Sequence, residues 1–153
     1  MKSTPSDLQD YLGYWLRKLS NHVSGSFAER LGKFGVSGPQ WVVLRVLFDH
    51  GSLPLKDIVS QVGVDQGSLS RMVDRLLTRG LVLRDENPND RREVAISLTK
   101  EGRQLVPKLA HEADENDRAF FGQLPKQQRE QFLATIKTLL ALNRSDSMRI
   151  RME

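Results

Sequence analysis

Ser68, Ser70, Arg71 and Arg75 share one short stretch of this 153-residue chain, and their types suit recognition better than bond-making. Hydroxyls and guanidinium groups hydrogen-bond phosphate oxygens and base edges. Arg71 and Arg75 stand four residues apart, which places both on one face if the stretch is helical. Asp65 and Gln66 precede them where such a helix would start. A second group, Asp90, Arg91 and Arg92, lies in a polar segment with Asn87, Pro88 and Asn89. Arginines on a protruding loop suit the negative potential of a narrow minor groove. A merely solvated helix face and an ordinary charged turn use the same residue types, so the elements that carry them must decide.

Other chemistries find little support. The chain has no cysteine, which excludes disulfides, thiolate redox sensing and cysteine-based zinc sites. His22, His50 and His111 are scattered, with Glu29, Asp49 and Glu112 near them in sequence, and no pair has the spacing of a metal motif. No nucleophile elbow, glycine-rich phosphate loop or HExxH motif occurs. No enzyme, metal or cofactor is therefore expected. The formal net charge of +4 is compatible with nucleic acid, but Arg144, Arg149 and Arg151 in the polar C-terminal stretch inflate it. No apolar run reaches the roughly 18–20 residues of a membrane span, and the N-terminus lacks the apolar core of a signal peptide. A cytoplasmic protein without membrane contact is expected.

The elements follow from periodicity. Thr4, Pro5 and Asp7 read as a helix start, and Leu8, Leu12, Trp15, Leu16, Leu19, Val23 and Phe27 recur at helical spacing. This predicts a first helix over residues 4–32, about 40 Å long at 1.5 Å per residue. Ser37, Gly38 and Pro39 start a second helix that ends at Gly51, apolar round most of its circumference and hence buried. Leu53-Pro54 is an extended connector. Leu55, Ile58, Val59 and Val62 mark a two-turn helix, Gly63-Val64 a turn, and Asp65 the cap of a fourth helix. That helix buries Leu69, Met72, Val73, Leu76 and Leu77 and ends at Gly80. The apolar period then changes to two, predicting strands over residues 81–86 and 93–98 around the polar turn 87–92. Thr99 caps a fifth helix, containing Pro107, and Pro125 starts a sixth with Phe132, Leu133, Ile136, Leu139 and Leu140. The prediction is mainly α, six helices with a small β-hairpin.

Two short helices joined by a glycine turn and followed by a hairpin form a winged helix-turn-helix pattern over residues 37–98. Long helices flank it, at 4–32 and 99–142, and read as the dimerisation platform that palindromic double-stranded DNA requires. Residues 143–153 read as a loose tail within the single domain. The helix starting at Asp65 carries the groove-reading face, with Ser68, Ser70, Arg71, Asp74, Arg75 and Thr78 outward. The first and second helices also hold Tyr14, Trp15, Arg17, Trp41 and Arg45. Aromatic rings beside an arginine suit a small aromatic carboxylate, although rings at helical spacing more often serve packing. A winged helix that binds only other proteins is the alternative reading.

The run S-x-x-R-x-V-D-R-L-x-x-x-G-L-V from Ser68, the D-x-R at Asp90 and Arg92, and the L-T-x-x-G from Leu98 to Gly102 resemble the MarR family of transcriptional regulators. The similarity extends over nearly the whole chain. It implies a triangular homodimer with interlocked terminal helices, recognition helices in successive major grooves, and a wing whose Asp90 supports the loop while Arg92 reaches the minor groove. It further implies repression relieved by a small ligand held between the dimerisation helices and the DNA-binding lobe.

Overall fold

The computed structural model describes residues 4–87 and 89–149, with the backbone alone for residues 87, 90–93 and 144–149. Among the described residues, six α-helices and three strands follow one another: α1 (Leu12–Gly32), α2 (Gly38–His50), β1 (Leu53–Pro54), α3 (Leu55–Val62), α4 (Gln66–Thr78), β2 (Val82–Asn87), β3 (Asp90–Leu98), α5 (Lys100–Phe121) and α6 (Lys126–Arg149). The chain divides into two units, one ending at Asn116 and the other beginning at Asp117.

The first unit has a core built from Leu31 of α1, Val36 of the turn after it, Val43, Leu44 and Leu47 of α2, Ile58 of α3, Leu69, Val73 and Leu76 of α4, Leu81 of the turn after α4, Val82, Ile96 and Leu98 of the hairpin, and Val106 and Leu109 of α5. The core therefore runs past the 37–98 segment and includes the end of α1 and the start of α5. Within α4, the buried residues at 69, 73 and 76 keep the expected helical spacing, and this leaves the opposite face to solvent. Helix α2 opens with a reciprocal cap. The Ser37 hydroxyl accepts from the Gln40 N–H, while the Gln40 side chain accepts from the Ser37 N–H.

Helix α4 ends in a Schellman turn. Gly80 takes φ +69°, the Gly80 N–H donates to Leu77 O, and the Leu81 N–H donates to Leu76 O. The buried pair Leu76 and Leu81 supplies the hydrophobic contact that accompanies this motif. Thr99 then fixes the hairpin to α5. Its hydroxyl accepts from the Gly102 N–H at 3.0 Å and donates to Gly80 O at 2.6 Å. A Cβ on Gly102 would stand 2.1 Å from Leu81 O, so the backbones approach as only glycine permits. The physical content of L-T-x-x-G is thus a cap and a close crossing.

Four expectations are corrected. The first helix does not begin at Thr4: Asp7 caps a single 3-10 turn over Leu8–Asp10, Tyr11 is extended, and α1 starts at Leu12. The Trp15 indole N–H donates to Gln9 O at 2.8 Å and closes that bend. Helix α1 then spans about 31 Å rather than 40 Å. Leu53-Pro54 is not only a connector; it pairs with β3 in an antiparallel sheet of order β1-β3-β2, with Leu53 opposite Ile96. A proline fits such an edge position because it has no N–H to leave unpaired. The hairpin turn is tighter than a six-residue loop, for β3 starts at Asp90 and Asn87 pairs with Asp90 after a register shift at Glu86. Finally, residues 143–149 continue α6; neither proline nor glycine interrupts them, and residues 150–153 lie outside those described.

The second unit comprises the end of α5, a turn, and α6. Phe121 and Phe132 approach to 6.1 Å between ring centres, and Phe120 lies 6.3 Å from Phe121. A cavity of about 270 Å³ opens beside them, lined chiefly by Phe121, Phe132, Leu133 and Ile136. Leu133, Leu139 and Leu140 of α6 are exposed, as are Leu12, Trp15 and Leu16 of α1 in the first unit.

Candidate nucleic-acid interface

The outward face of α4 begins with its cap. The Asp65 Oδ1 accepts from the Ser68 N–H at 2.8 Å, and Oδ2 accepts from the Ser68 hydroxyl at 2.7 Å. These bonds, with the nearby Arg71 cation, hold the Asp65 carboxyl below its ordinary pKa. Arg71 in turn donates from Nη2 to the Ser68 hydroxyl at 3.2 Å. Asp65, Gln66, Arg71 and Arg75 are exposed, whereas Ser68 and Ser70 are half-buried. Ser68 is thus occupied in joining the cap to Arg71.

Arg71 and Arg75 line a recess of about 240 Å³ with Ser37, Gln40, Ser68 and Met72. A second recess of about 460 Å³ adjoins it through Gln40 and Arg75, bordered also by Gly35, Asp74, Thr78 and Arg79. The cationic face of α4 therefore continues into hollows shared with the start of α2. Such a surface accepts the edges and phosphates of a duplex.

Two further arginines, absent from the sequence-based candidates, brace α4. Arg84 of β2 donates from Nη2 to the Asp74 carboxylate at 2.9 Å, linking the hairpin to the helix. Arg79, the C-cap of α4, donates from Nη1 to Gly35 O at 2.5 Å and from Nη2 to Phe34 O at 2.8 Å. Sequence spacing carried no signal for either, because each partner lies in a different element. Asp90, Arg91 and Arg92 belong to the start of β3 by backbone; their side chains lie outside the described residues.

The candidate ligand residues fall into two groups. Tyr14 and Trp15 pack edge to face at 5.2 Å, with Lys18 over both rings, and Arg17 is exposed beside them. Trp41 packs against Phe27 at 6.4 Å, while Arg45 pairs with Asp49 at 3.1 Å and lies over Phe48. Phe27 is twelve residues beyond Trp15 on α1, about 18 Å along the axis. Within one chain, the expected single cluster is therefore two. Among the described residues no three His, Cys, Asp or Glu come together as metal ligands, and no helix is long and apolar enough to cross a membrane.

A helix-turn-helix with a basic, outward second helix and a β-hairpin beside it defines a winged-helix DNA-binding protein. Residues 36–94 match the family model described as MarR family. The chain is 31% identical over 106 residues to the HTH-type transcriptional repressor NicR of Pseudomonas putida, covering 69% of this chain and 67% of that one. It is 32% identical over 101 residues to the organic hydroperoxide resistance transcriptional regulator of Bacillus subtilis, covering 66% and 69%. Its fold matches that of BpsR from Bordetella bronchiseptica with a TM-score of 0.82 and 27% identity, over 89% of this chain and 97% of that one; that structure concerns regulation of DNA binding by 6-hydroxynicotinic acid. The chain belongs to the MarR family, and it is a DNA-binding transcriptional regulator rather than an enzyme.

Proposed function

We propose that the protein represses transcription in the cytoplasm as a homodimer on a palindromic operator. In this reading α4 enters the major groove with Arg71 and Arg75 toward bases and phosphates. Asp65 and Gln66 stand at the entering end, with Ser68 and Ser70 on its flank. Asp90, Arg91 and Arg92 of the wing serve the adjacent minor groove, with Arg92 inserted. The observation that carries the reading is the division of α4: Leu69, Val73 and Leu76 are buried, while Arg71 and Arg75 are exposed. Dimerisation is supported by the exposed leucines of α1 and α6, an apolar surface of the kind that marks an interface.

An aromatic carboxylate is the proposed effector. The regulation of BpsR's DNA binding by 6-hydroxynicotinic acid supports that ligand class, and Trp41 with Arg45 offers a ring and a cation for it. Tyr14, Trp15 and Arg17 remain a second candidate group.

An electrophoretic shift on the promoter beside the protein's own gene tests the DNA reading. The wild type should retard that duplex and not a scrambled one. Arg75→Ala should weaken the shift at fixed salt by roughly 10-fold or more per half-site, the scale of one strong groove contact. Equal affinity for both duplexes would mean that binding there is non-specific, and would refute the operator reading of that promoter.

A further inference from the structure

Arg79 stands where the recognition helix ends, and its planar fork spans two successive carbonyls of the turn after α1, at 2.5 Å to Gly35 O and 2.8 Å to Phe34 O. The turn is itself ordered. The Phe34 N–H donates to Leu31 O, the Gly35 N–H to Gly32 O, and the Val36 N–H to Leu31 O, with Leu31 and Val36 buried in the core. Gly35 takes φ +65°, and a Cβ there would lie 3.4 Å from the Arg79 Nη1. The two carbonyls thus form a fixed cradle, whose left-handed backbone at Gly35 glycine adopts without strain. On the helix side Arg79 is equally constrained, since its own N–H donates to Arg75 O and the Schellman turn at Gly80 follows. Both partners being carbonyls, the contact does not neutralise the cation, so its purpose is directional. Two parallel N–H···O bonds resist rotation, which a single point contact does not.

We propose that Arg79 is a positioning residue for DNA recognition: its fork ties the C-terminal end of α4 to the α1–α2 turn and so sets the angle at which Arg71 and Arg75 meet the groove. The inference rests on the reading of α4 as the groove-reading helix. It assigns Arg79 a role distinct from a phosphate contact, although its charge and its place at the edge of the basic face would suggest one. The difference is measurable. A phosphate contact adds affinity on any sequence and adds about one to the salt slope. A positioning contact affects only affinity that depends on orientation, because base-edge bonds are directional and non-specific binding is not.

The test uses the full chain, a duplex enriched by the wild type from random DNA, and a scrambled duplex of equal length. Arg79→Lys keeps the charge and removes the fork. Gly35→Ala keeps Arg79 and disturbs the cradle. Both variants should lose roughly 10-fold or more on the enriched duplex, the scale of one mismatched base pair. Both should stay within about two-fold of wild type on the scrambled duplex, with an unchanged salt slope. Arg79→Lys binding the enriched duplex like the wild type would overturn the inference. So would equal losses on both duplexes with a slope reduced by about one per half-site in Arg79→Gln, which would make Arg79 a phosphate ligand. An Arg79→Lys chain that no longer melts cooperatively would also overturn it, making the fork a folding element. A wild type that enriches no sequence would instead defeat the reading of α4 and this inference together.

Discussion

At the residue scale, Asp65 shows how one side chain serves both fold and site. Its carboxylate closes the first turn of α4 through the Ser68 N–H and hydroxyl, and its negative charge lies at the positive end of the helix dipole. Its pKa is lowered in the folded chain, so the folded state binds its proton more weakly than the unfolded one. Its stabilising contribution is then complete above the unfolded value of about 3.9 and disappears as the pH falls through the lower folded value. Asp65→Asn keeps an N-cap acceptor without the charge. The melting temperature of the wild type should exceed that of the variant near neutral pH, and the gap should close as the pH drops from about 5 toward 2. A gap that stays constant over that range would separate the cap from its ionisation. The cap and the pair Arg71 and Arg75 were legible in the sequence because they rest on spacing within one helix. Arg79 and Arg84 were not, since their partners at Phe34, Gly35 and Asp74 are neighbours only after folding.

At the element scale, the junction between hairpin and α5 is a crossing that only glycine allows. The 2.1 Å that would separate a Gly102 Cβ from Leu81 O cannot be relieved by a rotamer change, because the obstructing atom is main chain. Gly102→Ala must push α5 away from the Leu81 backbone that leads into β2, disturbing the Thr99 bonds and the buried Val106 and Leu109 beyond them. A loss of about 1–3 kcal/mol is expected, the usual range for an overpacked site, read from urea unfolding. An unchanged midpoint would show that the junction is looser than its geometry. The helices α2 to α4 were predictable to within a residue or so, because capping residues, glycine stops and buried stripes coincide there. Prediction failed where a contact outside the regular periodicity decided. The Trp15 bond to Gln9 O ends the N-terminal turn early, and Leu53-Pro54 becomes a strand only because β3 lies alongside.

At the scale of the whole molecule, the proposed homodimer and the proposed effector are one problem in linkage. Two recognition helices must stand about 34–36 Å apart to meet successive major grooves on one face of the duplex. An effector releases DNA only to the extent that it prefers a state with another spacing, commonly a factor of roughly 5–150 in affinity. The exposed apolar residues of α1 and α6 first require a test of assembly: sedimentation at micromolar concentration should give a dimer, and a stable folded monomer would remove the basis for a spacing mechanism. Calorimetry of a panel of aromatic acids, with and without operator, then tests the coupling. A binding compound should lose affinity in the presence of operator by the same factor by which it weakens DNA binding, since the coupling free energy is shared. Arg45→Ala distinguishes the two candidate ligand groups. It should abolish binding if Trp41 and Arg45 form the site, and leave it intact if Tyr14, Trp15 and Arg17 do. Equal affinity for a compound in the free and DNA-bound states would show that it binds without regulating, because a ligand indifferent to two states shifts neither.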